Sequence, residues 1–381
     1  MYKIATLNKI SPVGLSHLTG KYSVSDDLSE ATGVLVRSQD LHSAEFPKEL
    51  LGIARAGAGV NNIPLDRCAE NGIVVFNTPG ANANAVKELV IGSLILSARN
   101  VFPAMTWASG LTENIGKSVE KGKGQFAGTE IAGKKLAVIG LGAIGVRVAN
   151  AAKDMGMRVI GYDPYFSVRS AHSLYSTIEF TQDLKAALAD ADYITLHLPA
   201  IDSTKEMFNK ELIALCKPGA VLLNFARNLL VKEDDLLEAL SEGKIKGYVT
   251  DFPTEGLLGK EGVLSIPHLG ASTAEAEDNC ATMATLQLMD YIENGNITNS
   301  VNFPNADLGP VAADESRIAV MTYGVERPVQ LAMEMFKDLD IEAAVGGVKG
   351  QFGYALISSK TFVEEVNVLP GVVKVRVIQD M

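Results

Sequence analysis

Three side chains of complementary chemistry stand just past apolar runs that read as strands: Arg227 after residues 220–225, Glu255 after 247–251 and His268 after 263–266. A guanidinium takes a carboxylate through two parallel hydrogen bonds, and an imidazole moves protons near neutral pH. A carboxylate on the far imidazole nitrogen fixes its tautomer and raises its pKa. Together they could draw the proton from a hydroxyl on an anionic substrate while its carbon is oxidised. Each has a plainer reading, Arg227 as a surface ion pair and His268 as a strand-end histidine bonded to backbone. What joins them is their recurrence at successive strand ends, where open α/β sheets bind ligands. Pro267 before His268 and Gly270 after it suggest a rigid turn presenting the ring.

Such chemistry needs an electron acceptor, and residues 134–163 could hold one. An apolar run, 135–139, leads into Gly140-Leu141-Gly142-Ala143-Ile144-Gly145, then a helical stretch from Val146 to Met155, a second strand from Arg158 to Gly161, and Asp163. Gly140 permits the tight turn, Gly142 admits a pyrophosphate close to the backbone, and Gly145 lets helix and strand pack. The N–H groups that open the helix attract the anion. Asp163 would accept from ribose hydroxyls and repel a 2′-phosphate, so the pattern reads as NAD rather than NADP. A flavodoxin-like sheet with a purely structural turn is the alternative. His197, at the end of another strand-like run (192–198), could border the adenine side.

The chain around this unit alternates strand-like and helix-like segments. Strands are expected at 2–7, 22–25, 33–36, 53–55 and 74–76, with short helices at 47–51 and 64–71. Residues 84–100 read as a nearly buried helix and 275–295 as a second long one, with Ser300–Pro304 as a return strand. Later strands are expected at 220–225, 247–251 and 263–266, and helices at 181–189, 210–215 and 232–242. Beyond a Pro/Gly/Ala-rich linker at 305–315, strands at 317–321, 341–348, 353–358 and 372–378 with helices at 327–338 and 361–369 give the ferredoxin-like order βαββαβ. The fold class is therefore α/β, with two Rossmann-like parallel-sheet domains, one of them discontinuous, plus a C-terminal ferredoxin-like domain. The domains expected are 1–100 with 284–304 for substrate, 101–283 for the dinucleotide, and 316–381 for regulation or dimerisation.

Two loops of the first domain could meet an anion. Gly57-Ala58-Gly59 follows a strand, so its N–H groups could line a small anion site, or it is an ordinary turn. Arg37-Ser38 is either a ligand-facing pair or a solvated loop. Lys117, Lys121 and Lys123, in a glycine-interrupted stretch, read first as a solvated loop.

At 381 residues the chain implies two or three domains, and 47% hydrophobic residues supply their cores. A formal charge of −11 disfavours nucleic acid and anionic membrane as partners, so an anionic substrate needs a local basic pocket. Three scattered cysteines show no metal-ligand spacing and fit a reduced, cytoplasmic protein. No metal is expected. The N-terminus lacks a signal-peptide pattern, and the longest apolar stretch, 89–98, is short for a membrane span.

The order Gly-x-Gly-x-x-Gly, acidic residue, Asn224-Phe225-Ala226-Arg227, Asp251-x-x-x-Glu255, Pro267-His268-x-Gly270-Ala271-Ser272-Thr273 resembles the D-isomer-specific 2-hydroxyacid dehydrogenases. Within that family, Asn77 to Glu88 and Arg55 to Ile63 are similar to the D-3-phosphoglycerate dehydrogenases, and the last domain is similar to their ACT-type regulatory fold. The resemblance implies Arg227, Glu255 and His268 as the catalytic trio and NAD as cofactor. It implies cofactor contacts at Ala143, Ile144, Pro164, His197, Leu198, Pro199, Thr204, Phe225, Ala226, Asp251 and Gly270 as well as at the fingerprint. Gly57, Ala58 and Gly59 become the carboxylate cradle, with Arg37, Ser38, Asn82 and Lys87 as further substrate contacts; because an acidic protein must place cations locally, Arg37, Lys87 or Arg55 would meet a phosphate, with Lys117, Lys121 and Lys123 as the weaker candidate. The implied reaction is oxidation of D-3-phosphoglycerate to 3-phosphohydroxypyruvate, the entry to serine synthesis, by a homodimer or homotetramer. Rival readings are another D-2-hydroxy acid (glycerate, lactate, phosphoerythronate) and a non-catalytic NAD-sensing scaffold. Departures from the family pattern are the shortened Asp251–Glu255 spacing, Gly256 in place of proline, Asn228 and Leu229 after Arg227, and the sequence Tyr323 to Pro328 where the family keeps its effector loop.

Overall fold

A computed structural model describes residues 1–363 and 366–379. The chain divides into two compact units, Met1–Asn82 with Ala274–Met381 and Ala83–Thr273.

In the first unit, β1 (Tyr2–Leu7), β2 (Tyr22–Ser25), β3 (Gly33–Val36), β4 (Gly52–Arg55) and β5 (Val74–Phe76) form a wholly parallel sheet in the order β2-β1-β3-β4-β5. Its inner strands β3, β4 and β5 are buried on both faces because they are short runs of Val, Ile, Leu and Ala, whereas the edge strand β2, Tyr-Ser-Val-Ser, is largely exposed. The helix Ala274–Asn294 covers one face, setting Ala281, Ala284 and Leu288 among Ile4, Leu35 and Ala54.

The second unit holds seven parallel strands: β6 (Lys135–Ile139), β7 (Arg158–Tyr162), β8 (Glu179–Thr181), β9 (Tyr193–Leu196), β10 (Ala220–Asn224), β11 (Ile245–Thr250) and β12 (Val263–Ser265). Their order, β12-β11-β10-β9-β6-β7-β8, reverses direction between β6 and β9. That is the topological switch point at which doubly wound sheets bind ligands. The helix Ala83–Ala98 packs here against the helix Ala143–Asp154 and β10, with Val86, Val90 and Leu94 in one core with Val146, Ala149 and Leu223.

The chain closes with β13 (Ser316–Tyr323), the helix Pro328–Met335, β14 (Ile341–Lys349), β15 (Phe352–Ser359) and β16 (Val372–Ile378). They form an antiparallel sheet, β14-β15-β13-β16, belonging to the first unit.

Several expected elements differ. The second helix of the last domain, expected over 361–369, is irregular at 361–363 and 366–369, and residues 364 and 365 lie outside the described ones. Val363, Val366 and Val368 are poor helix formers, and the Gln379 side chain engages both the N–H and the carbonyl of Val363 at 3.2 and 3.5 Å. Residues 300–304 form no strand beyond one bridge from Ser300 to Phe76. There the Asn302 amide takes the place of a backbone ladder, accepting from Val75 N at 2.9 Å and donating to Ile73 O at 2.9 Å. Residues 47–51 make only a turn, closed by Leu50 N on Pro47 O at 3.1 Å. The lysine stretch expected as a loop is helical over Ile115–Gly122, beside Trp107 and Phe126, whose rings lie 5.3 Å apart. β8 and the helices Pro12–Leu15, Val101–Ser109 and Val168–Ser173 are additional. No single helix among the described residues is long and apolar enough to cross a membrane.

Candidate active site

In the second unit the glycine turn leaves β6 at the switch point. Gly140 has φ +99°, a left-handed conformation open mainly to glycine. A Cβ on Gly145 would stand 1.8 Å from Gly140 O, so helix Ala143–Asp154 can press against the strand only with glycine there. A Cβ on Gly142 would meet nothing within 4 Å, which leaves space over the first helical N–H groups. The space and those donors, contributed by Gly142, Ala143 and Ile144, fit a pyrophosphate.

Asp163, just past β7, accepts from Leu141 N and Tyr165 N, each at 2.8 Å. Its carboxylate is thereby fixed beside the glycine turn, with Pro164 exposed next to it. His197 follows β9, and its N–H donates to Ile139 O at 2.7 Å. Its Nε2 lies 3.0 Å from Thr195 Oγ1, while Nδ1 is buried without a protein partner. Burial lowers its pKa to about 3, so the ring is neutral. Leu198 lies against the same turn, and Thr204 Oγ1 donates to Pro199 O at 2.6 Å, closing the loop between them.

The ends of β10, β11 and β12 carry the ionisable groups. Asn224, wholly buried, donates to Arg227 O at 2.8 Å and accepts from Ala226 N at 3.1 Å, which shapes the Phe225-Ala226-Arg227 corner. Arg227 Nη1 donates to Ala226 O at 2.6 Å, and its Cζ lies 5.9 Å from the Phe252 ring centroid. The exposed His268 ring lies 4.6 Å from that same centroid. Asp251, 1% exposed, accepts from Gly270 N at 2.9 Å through Oδ2, and its Oδ1 has no protein partner. Burial raises the Asp251 pKa, opposed by the Gly270 N–H and by the charges of His268 and Arg227.

Glu255 is exposed and, among the described residues, makes no hydrogen bond or ion pair with His268. The turn around it is held by Thr254 Oγ1, which donates to Glu233 Oε2 at 2.7 Å. Glu233 also fills the space at Gly256, where a Cβ would stand 1.9 Å from its Oε1. The carboxylate whose charge meets that of His268 is Asp251. Asn224 and Phe252 went unassigned in the sequence, although both sit inside motifs it displays. Among the described residues, no group of three His, Cys, Asp or Glu side chains could hold a metal.

In the first unit, Gly57 N donates to Arg55 O at 2.9 Å, so this N–H turns inward rather than toward an anion. Thr78 N and Asn77 Nδ2 hold the carbonyls of Gly57 and Ala58 at 3.1 and 2.7 Å. Arg37 and Arg55 leave the ends of neighbouring strands β3 and β4, and Arg55 Nε donates to Arg37 O at 2.9 Å. Arg37 pairs with Glu277 at 2.7 Å, and Ser38 N donates to Asn8 Oδ1 at 2.9 Å. Gly59 belongs to this loop, and Asn82 ends the unit's first segment. Lys87 belongs to the second unit, 3.6 Å from Glu88.

A doubly wound sheet with a glycine turn at its switch point defines a dinucleotide-binding protein. Residues 93–270 match the NAD-binding domain of the D-isomer-specific 2-hydroxyacid dehydrogenases. The chain is 35% identical over 354 residues to D-3-phosphoglycerate dehydrogenase of Methanocaldococcus jannaschii, an overlap of 91% of this chain and 63% of that protein. It is 34% identical over 288 residues to the human D-3-phosphoglycerate dehydrogenase, covering 72% of this chain and 51% of that one. The chain thus spans about half to two thirds of the length of these curated relatives. Its fold is similar to that of NAD+-bound 3-phosphoglycerate dehydrogenase from Entamoeba histolytica, with a TM-score of 0.62 and 25% identity over 79% of this chain and 98% of that one. The matched segment, residues 93–270, belongs to the D-isomer-specific 2-hydroxyacid dehydrogenase family.

Proposed function

We propose that the chain oxidises the C2 hydroxyl of D-3-phosphoglycerate to give 3-phosphohydroxypyruvate, the first step of serine biosynthesis, with NAD as acceptor. The observation that carries this reading is the grouping of Arg227 and His268 about Phe252, in the same unit as the Gly140–Gly145 turn. The names of the relatives favour this 2-hydroxy acid over others. Gly142, Ala143, Ile144 and Asp163 would hold the dinucleotide, which would supply the acceptor for the hydride from C2.

Arg227 holds the substrate carboxylate and C2 oxygen through its paired N–H groups. His268 accepts the hydroxyl proton, and its exposed ring lets that proton pass to water. Asp251 supplies negative charge behind the imidazolium that forms. Glu255 takes this family role only after the turn at 252–256 rearranges. Asp163 favours NAD, because its carboxylate repels a 2′-phosphate.

As a homo-oligomer in the cytoplasm, the enzyme would carry residues 316–381 as its regulatory or dimerising module; sedimentation reads the oligomeric state. Steady-state assays with NAD and NADP against 3-phosphoglycerate, D-glycerate, D-lactate and phosphoerythronate test the reaction. The expected result is highest kcat/KM with NAD and 3-phosphoglycerate. Preference for an unphosphorylated acid would overturn the substrate, and binding of NAD without turnover of any acid would overturn the enzyme.

A further inference from the structure

Glu277 lies in the first turn of the helix Ala274–Asn294, where a carboxylate is favoured by the helix dipole and needs no other explanation. Its side chain nevertheless reaches Arg37 at 2.7 Å, at the end of β3. Arg55 stands at the end of the adjacent strand, tied to the Arg37 carbonyl at 2.9 Å. One turn further along the helix, Cys280 is buried within electrostatic reach of Arg37, Arg55 and Glu277 together. All four residues belong to the first unit. Arg37, Arg55 and Glu277 thus bring two guanidinium charges and one carboxylate to the ends of these neighbouring strands and the facing helix turn.

We propose that Glu277 is a specificity-determining residue: by pairing with Arg37 it limits the positive charge of the strand-end cluster, and so limits how strongly the protein prefers a phosphorylated 2-hydroxy acid over its unphosphorylated counterpart. This deepens the reading given above and rests on Arg37 facing the substrate. A phosphate carries nearly two negative charges at neutral pH, and it must share Arg37 with Glu277 or displace it. The unphosphorylated acid lacks that group and feels Glu277 less. Arg37 and Glu277 are 43% and 45% exposed, so water and salt weaken the competition without abolishing it.

The test compares the whole protein with Glu277→Gln, Arg37→Gln and the double variant by calorimetric titration of 3-phosphoglycerate and D-glycerate, a pair that differs only in the phosphate. Turnover is measured in parallel. Glu277→Gln is expected to raise the ratio of the two affinities by about three- to tenfold at low salt, and by less at high salt. In the Arg37→Gln background the same change should leave the ratio within about twofold. An unaltered ratio in Glu277→Gln, an equal gain without Arg37, or failure of the wild-type protein to bind either acid would each overturn the proposal. If the ratio shifts while no variant turns over 3-phosphoglycerate, the proposed reaction fails and the role of Glu277 stands. Glu277→Asp, which keeps the charge, should restore the wild-type ratio and excludes a folding artefact.

Discussion

Asp251 is nearly enclosed, holds one hydrogen bond and leaves Oδ1 without a protein partner. Its folded pKa is raised by burial, so the folded state holds this proton more tightly than the unfolded chain does. The stabilisation associated with that proton is complete below the unfolded pKa and is lost as pH rises through the folded one. Asn at this position stays neutral and can keep the Gly270 bond. Thermal unfolding of Asp251→Asn from pH 4 to 7 should therefore show Tm rising relative to wild type as pH increases. A difference that is flat or falls with pH would mean that Asp251 is not the strained acid described here. At the residue scale, the strand-end positions of Arg227 and His268 were readable, since a parallel sheet delivers such residues to one edge. The bond from Glu255 to His268 that the spacing suggested is not formed in this structure, where Glu255 is exposed. Glu233, distant in sequence, occupies the space at Gly256 and holds the turn by bonding Thr254.

The Gly140–Gly145 turn separates two roles that a motif merges. Gly145 serves the fold, because its missing side chain admits Gly140 O, whereas Gly142 faces open space and has an ordinary φ of −74°. Gly142→Ala should leave Tm nearly unchanged yet weaken NAD binding by roughly tenfold or more, since the methyl enters the space offered to the pyrophosphate. Gly145→Ala should cost about 1–3 kcal/mol of stability by forcing the helix off β6. Denaturation together with NAD titration checks both, and equal losses of stability in the two variants would sink the distinction. Most strands of the two parallel sheets were legible as short apolar runs between glycine turns; β8, Glu-Phe-Thr with no Val, Ile or Leu, was not. The return strand at 300–304 and the described parts of the expected helix, 361–363 and 366–369, differ for another reason. In each, one amide side chain, Asn302 or Gln379, takes backbone bonds that a periodicity argument assigns to a ladder or a helix.

The C-terminal antiparallel sheet follows a Pro/Gly/Ala-rich linker in sequence, yet it belongs to the same compact unit as the first parallel sheet. The cause lies at the end of the helix Ala274–Asn294, which has no basic residue in its own last turn to meet its unpaired carbonyls. The sheet supplies them. Arg376 on β16 donates to Tyr291 O at 2.8 Å and to Ile292 O, and lies over the Tyr291 ring. Tyr354 on β15 donates to Gly295 O at 2.6 Å. The buried Arg317 on β13 donates to Asn294 O at 3.3 Å while pairing with Glu315 at 2.7 Å. Two guanidinium charges at a helix C-terminus also complement its dipole. Arg376→Met keeps most of the stem packing but removes the Arg376 donor from Ile292 O, while Tyr291 O keeps Gly295 N at 3.0 Å, a loss of about 1–3 kcal/mol on the scale of charged hydrogen bonds. Hydrogen exchange should then speed up in residues 288–295 and in β16, while peptides from residues 83–273 keep their wild-type protection. Unchanged protection at the helix end would show that the sheet is a separately tethered module and that the cap contributes little. If the prediction holds, a ligand that loosens or tightens the sheet acts on the far end of the same helix whose first turn holds Glu277 against Arg37.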